Sequence, residues 1–449
     1  MVYLTEKISP GNDNWLTRRK FLKFVGGSLA SLSLPMAGAI SGSASESSIN
    51  IGGIFSLTGP NAPVGKTIRD GARLAVKKIN DEGGIGGEIP IDLVVEDGKT
   101  SQTGASKAAR RLANRGDISF AFGPLIGTHG MATQPIFGAA GIPQVFFGTV
   151  PGFTERHEEY PTSIRYGTQE SLQMAPVLKY AVERRNHEKL HLFAPNNQQG
   201  KSFAKIVRRQ LEKNPAGELS GVSYYTPFRG DFSQFIAKAL NSPAEGVIVG
   251  TGIPTDLISV AREFDRRGID PEEFGYYTGQ TPNGSVDFEK QVADKGIGEG
   301  FIFAWHYENG KYPREFQRSD PPEQATEMES AFRNEFGHAP DSPPSASWGW
   351  GSTHIVKQAI EGMIEVEGLD TVLSLNYREE LPREAVSYLL PDEGASGSGP
   401  VVNTPYGNYG FLSCGQFDIR LGVATVKGNR RYLLKDRGYG EELLGSLCS

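Results

Sequence analysis

The chain has 449 residues, more than one hydrophobic core ordinarily serves, so its size points to two or more lobes. With 38% hydrophobic and 22% charged residues, its composition is that of a globular protein rather than a disordered or fibrous one. The net charge is −6; the first 39 residues carry five cations against two anions, leaving −9 on the remainder, and so mildly acidic a body gives no reason to expect nucleic acid as a partner.

At the N-terminus, Thr17-Arg18-Arg19-Lys20-Phe21-Leu22-Lys23 precedes a weakly apolar run from Phe24 to Ile40. Residues 1–39 read as a twin-arginine export signal, with Ala37-Gly38-Ala39 as its small-residue cleavage site. The run is short and broken by Gly26, Gly27 and Pro35, which argues against a membrane-spanning helix. Cysteine occurs only at Cys414 and Cys448. An exported chain permits a bridge between them, but sequence alone does not bring them together.

Ile49–Phe55 reads as a buried strand, followed by the turn-forming loop Ser56-Leu57-Thr58-Gly59-Pro60-Asn61-Ala62. Ile68, Ala72, Ala75 and Ile79 are spaced as one face of a helix, which Gly83-Gly84-Ile85-Gly86-Gly87 stops before a second strand, Ile91–Val95. Such a βαβ unit requires a parallel sheet, and open parallel sheets bind ligands beyond the carboxyl ends of their strands. The pattern repeats with a helix through Ala105–Ala113, a strand Ile118–Phe122, a short helix Met131–Ala140 and a strand Ile142–Phe147. Three strand ends therefore carry Ser56/Thr58, Gly127/Thr128 and Gly148/Thr149. Small residues and hydroxyls at helix starts suit an anion such as a carboxylate, although each threonine taken singly also suits a helix cap.

From Tyr166 the alternation restarts. Strands are expected at 190–194, 222–225, 246–250 and 274–277, with polar loops at Asn196–Gly200, Thr251–Thr255 and Gly279–Thr281. The run 300–305 reads as a strand leading back to the first lobe, and the Pro-rich loop 337–345 precedes a long helix through Ile355, Ala359 and Met363. Residues 394–399 read as a linker and the tail 409–434 as β-hairpins. None of the seven histidines forms a metal-spaced pair on a helix, no G-x-S-x-G elbow occurs, and Gly250-Thr251-Gly252 lacks the third glycine of a dinucleotide fingerprint. No enzyme, cofactor or metal is therefore expected; His129, within the candidate site, reads as a hydrogen-bond donor.

Taken in order, Ser56–Ala62, Asn80–Gly87, Val94-Val95-Glu96-Asp97, Gly141-Ile142-Pro143 with Thr149, Asp231-Phe232-Ser233 and Phe332…Phe336-Gly337…Pro340 resemble the type I periplasmic solute-binding proteins of branched-chain amino acid ABC transporters, the leucine/isoleucine/valine-binding group. The resemblance runs from about Ile49 to Leu434 and implies an α/β fold of two Rossmann-like lobes joined by a three-strand hinge. Lobe 1 would comprise residues 49–165 plus 300–398, and lobe 2 residues 166–299 plus 399–449. It implies that Gly127, Thr128, Gly148 and Thr149 grip a ligand carboxylate, with Thr58 beside them. Gln199, Gly252/Ile253 and Gln280 would close over the rest.

Two positions depart from that pattern. Gln199 stands where amino-acid binders of this type carry an aromatic residue, and Gln280 where they carry a carboxylate for the ligand ammonium. Asp256 is expected on its helix's surface. The implied ligand is a branched-chain amino acid or similar small polar solute, with a short amide or urea as the alternative; a ligand-sensing receptor module is the rival role. The implied partners are an ABC permease and its ATPase, and the mature protein would be a monomer, periplasmic or extracellular.

Overall fold

A computed structural model describes residues 48–449 except 215, 252, 280–290, 293–294, 306–321, 392–397, 420, 428–429, 436–438 and 445–449. The proposed export segment, Gly252, Gln280 and Cys448 thus lie outside the described residues. Cys414 is disulfide-bonded.

The first sheet is built from β1 (Ile49–Phe55), β2 (Ile91–Asp97), β3 (Phe120–Phe122), β4 (Gln144–Phe146) and β5 (Ser163–Arg165), in the order β2-β1-β3-β4-β5 and parallel throughout. Helix α1 (Ala62–Asp81) opens with Pro63 in its first turn, where a fixed φ favours helix and no N–H is lost. It buries Ile68, Ala72, Ala75 and Ile79 as their spacing predicts. Helices α2 (Gln102–Arg115) and α3 (Gly127–Ala139) follow β2 and β3. Helix α3 begins four residues before the expected Met131, so Gly127 and Thr128 are its first turn rather than a preceding loop.

The second lobe opens with α4 (Glu170–Arg185), then β6 (Lys189–Pro195), α5 (Gln198–Glu212), β7 (Glu218–Tyr225), α6 (Ser233–Leu240), β8 (Gly246–Val249), α7 (Pro254–Arg267), β9 (Gly275–Thr278) and β10 (Ile302–Trp305). Helices α8 (Glu323–Phe336) and α9 (Pro343–Glu367) return to the first lobe. The chain then forms the small hairpin β11 (Val402–Thr404) and β12 (Gly407–Tyr409) before β13 (Gly422–Lys427) and β14 (Arg430–Lys435). The second sheet has the order β14-β13-β10-β9-β8-β6-β7, parallel from β7 to β10 and antiparallel through β13 and β14.

Two lobe assignments are corrected. The strand Ile302–Trp305 belongs to the second sheet, hydrogen-bonded between β9 and β13, not to the first lobe. Conversely, Val402, Tyr406, Phe411 and Phe417 pack in the first-lobe core, and only from Leu421 does the chain join the second. Strand alternation explains the ambiguity. Phe303, Trp305, Ala424 and Val426 face the first core, whereas Ile302, Ala304 and Val423 face the second.

Helices α1 and α9 cross backbone to backbone. A Cβ on Gly349 would lie 1.9 Å from the Ile68 carbonyl oxygen, and one on Gly71 would lie 2.2 Å from that of Ala346. Only glycine fits at either contact. Among the described residues no helix is long and apolar enough to cross a membrane.

Candidate functional site

In each sheet the strand order reverses at one point: beside β1 in the first, beside β6 in the second. The loops leaving β1, β3, β6 and β8 therefore diverge and leave a crevice, which is where open α/β sheets bind ligands. Those loops surround one cavity of about 220 Å³, walled by both lobes. Leu125, Ile126, Phe203, Phe228, Val249 and Ile253 supply much of its apolar surface. A dry cavity of about 150 Å³ admits benzene, so this volume suits a guest of roughly nine non-hydrogen atoms.

The first lobe presents the opening turn of α3. The amides of His129 and Gly130 bond to the Ile126 carbonyl oxygen. The Gly127 and Thr128 amides precede the first carbonyl a helix can offer them, and both residues line the cavity at the positive end of the helix. The Thr128 side chain lines the same wall. His129 also lines it; burial pushes its imidazole down to about 4, so it stands there neutral, with one donor and one acceptor.

Of the seven residues singled out from the sequence, Gly127, Thr128, Thr149 and Gln199 line the cavity. Thr58 does not: its hydroxyl donates to Asp97 Oδ2 at 2.7 Å, and its carbonyl accepts from the Thr100 hydroxyl at 2.7 Å. Asp97 also accepts from the amides of Leu57 and Lys99. Partial burial opposes its charge, but the bonds from Thr58, Lys99 and Leu57 outweigh that and hold the carboxyl below its ordinary range. Thr58 thus ties its loop down so that Asn61, further along it, reaches the cavity. Gly148 does not line the cavity either; a Cβ there would lie 2.5 Å from the Leu125 carbonyl oxygen, so it lets two loops touch. Gln280 is outside the described residues.

Sequence reasoning missed Glu170, the first residue of α4 and part of the crossover between lobes. An acidic residue opening a helix reads as a dipole partner, and nothing local signals its burial. It is 4% exposed and lines the cavity. Its Oε1 accepts from the Thr149 hydroxyl at 3.2 Å and from Gln199 Nε2 at 3.1 Å, joining a residue of each lobe. Oε2 is buried with no hydrogen-bond partner among the described residues. Burial pushes this carboxyl up to about 7, against the opposing pull of Gln199, Thr149 and the Arg165 guanidinium.

Arg165 at the end of β5 is fully buried; its two terminal nitrogens donate to the carbonyl oxygens of Gly148, Val150 and Pro151 and to the Thr154 hydroxyl, while Nε has no hydrogen-bond partner among the described residues. Burial lowers it to about 9. It shapes the loop that carries Thr149.

Asp256, expected on a surface, is wholly buried under the loop that follows β7. Its Oδ2 accepts from the Phe228 amide at 3.1 Å, and burial raises its carboxyl to about 6. It thereby anchors Phe228, a second residue that sequence reasoning missed. Phe228 lines the cavity while 48% exposed, in a left-handed conformation with φ of 62° that costs a bulky residue energy. Among the described residues no His, Cys, Asp and Glu side chains cluster as a metal site would require. The arrangement is built to hold a solute.

A family model described as periplasmic binding protein matches residues 48–381. The Leu/Ile/Val-binding protein homolog 3 of Brucella melitensis is 30% identical over 213 residues, which are 46% of this chain and 55% of that relative. The leucine-specific-binding protein of Salmonella typhimurium is 25% identical over 240 residues, 53% of this chain and 63% of that one. The chain thus spans little over half the length of these relatives. Among solved structures, the branched-chain amino acid transporter substrate-binding protein LivJ of Streptococcus pneumoniae, in complex with isoleucine, superposes with a TM-score of 0.68 at 20% identity, covering 87% of this chain and 100% of that one. A solute-binding protein from R. palustris in complex with 4-hydroxybenzoate gives 0.69 at 14% identity, covering 87% and 96%. These likenesses establish the fold.

Proposed function

The chain belongs to the periplasmic binding protein family, and from that premise we propose that it is the extracytoplasmic solute-binding component of an ABC importer. Its solute is a branched-chain amino acid or a small polar molecule of that size. The family is one of binding proteins rather than enzymes, and the relatives above are named for the amino acids they bind. The observation that carries the reading is a cavity of about 220 Å³ to which both strand-order reversals contribute. Its size suits leucine.

A guest touching Thr128 and Thr149 on one side and Gln199 and Ile253 on the other gains contacts in the closed arrangement that an open one cannot offer. Binding therefore shifts the population toward closure, and a permease with its cytoplasmic ATPase reads the closed form. Residues 1–39 direct the precursor through the twin-arginine route to the periplasm, and the mature protein acts as a monomer.

The test is solution scattering on the mature protein, cleared of bound solute by unfolding and refolding. Titration with leucine, isoleucine and valine should reduce the radius of gyration in step with calorimetric saturation. A saturable ligand that leaves the radius unchanged would refute closure around the cavity.

A further inference from the structure

We infer that Phe228 is the side chain that sets this cavity's preference for apolar bulk, by covering the apolar part of the solute, and that Asp256 is the positioning residue that holds it there. The inference rests on the reading of the cavity as the solute site and deepens it by naming a specificity-determining loop.

Phe228 lies in the loop 226–232 between β7 and α6 and lines the cavity beside Pro227. Its backbone is left-handed, with φ of 62°. Glycine adopts that conformation freely, whereas a bulky side chain does so at a cost. The loop contains a glycine, Gly230, but Gly230 is not its left-handed residue. The strained position therefore carries a ring, and such strain persists only where the surroundings over-determine it, as they do at ligand clamps.

Those surroundings are built. Asp256, in the first turn of α7, is wholly buried beneath the loop, and its Oδ2 accepts from the Phe228 amide at 3.1 Å. Before Phe228, Tyr225 is buried edge-on against Phe232, with ring centroids 4.9 Å apart. After it, the Arg229 guanidinium lies over the Phe235 ring at 4.9 Å, and its Nε donates to the Asp231 carbonyl oxygen at 2.6 Å. The loop thus buries two of its aromatic rings and stacks a third, yet leaves Phe228 half exposed at the cavity wall. Phe203, Val249 and Ile253 of the same lobe add apolar surface to that wall. Water over the exposed ring is released when an apolar group of the guest covers it, so the ring rewards guests that carry one.

The experiment measures leucine and alanine by calorimetry on the full mature chain, wild type and variants. Phe228→Ala should bind leucine about tenfold more weakly, the worth of covering part of a phenyl ring, and alanine within about twofold of wild type. Asp256→Ala should lower the preference for leucine over alanine by a similar factor. Added to Phe228→Ala it should lower that preference no further, because it acts through the ring. Asp256→Asn, which keeps an oxygen for the Phe228 amide, should retain the wild-type preference. A wild type that binds alanine as tightly as leucine overturns the inference, as does an unchanged preference in Phe228→Ala. An Asp256→Ala effect of equal size with and without the ring overturns the role of Asp256. Phe228→Ala decides alone if Asp256→Ala fails to fold. Leucine affinity that is indifferent to valine at both Thr128 and Thr149 would instead overturn the cavity reading itself.

Discussion

In the solute-free protein Glu170 should be a liability, and replacing it by glutamine should make the protein more stable above neutral pH. Burial raises its carboxyl from an ordinary 4.5 to about 7 in the folded chain. The unfolded chain gives up that proton more easily, so folding stability falls as pH rises from 4.5 and levels off above 7. The shift corresponds to about 3 kcal/mol once the group is ionised in both states. Glutamine keeps an oxygen for the Thr149 hydroxyl and carries no charge. Calorimetric unfolding of the solute-free wild type and Glu170→Gln should therefore coincide near pH 4.5 and diverge by about 3 kcal/mol at pH 8, the variant being higher. For a chain of roughly 400 residues that is about 4 °C in melting temperature. A variant no more stable at pH 8 than at pH 4.5, relative to wild type, would refute the placement of an uncompensated carboxyl in this wall.

Other expectations are as direct. Replacing Thr128 and Thr149 together by valine should weaken solute binding by about tenfold or more, the worth of hydrogen bonds to a charged group; unchanged calorimetric affinity would remove both residues from the site. Gly349→Ala places a methyl 1.9 Å from the Ile68 carbonyl oxygen, and urea denaturation should show a loss of about 2 kcal/mol or more. An unaltered midpoint would mean that α1 and α9 can part freely. Phe228→Gly should relieve the left-handed backbone, raising stability by about 1 kcal/mol, while solute affinity falls. A fall in both would show that the ring packs more than it guards.

Much of this arrangement is legible in local pattern. The strands at 49–55, 91–97, 189–195 and 246–249 are apolar runs bounded by turn formers, and periodicity places α1 and the long α9. The legible part ends where a residue's role is set by distant chain. Gly127 and Thr128 form a helical turn without apolar residues, so spacing begins the helix too late. Asp256 and Glu170 both lie in first turns, where acids usually face solvent; each is buried by a loop or lobe far away in sequence. Thr58 has the hydroxyl a binding loop would use, yet Asp97, 39 residues on, claims it. Ile302–Trp305 is plainly a strand, but pairing is not encoded in its own residues.

The late arrival of β13 and β14 has a consequence for biogenesis. Until residues 422–435 emerge from the ribosome, β10 has no neighbour on one side and presents an open hydrogen-bonding edge to other nascent chains. The second lobe's sheet is complete only once this distant downstream segment has returned to β10.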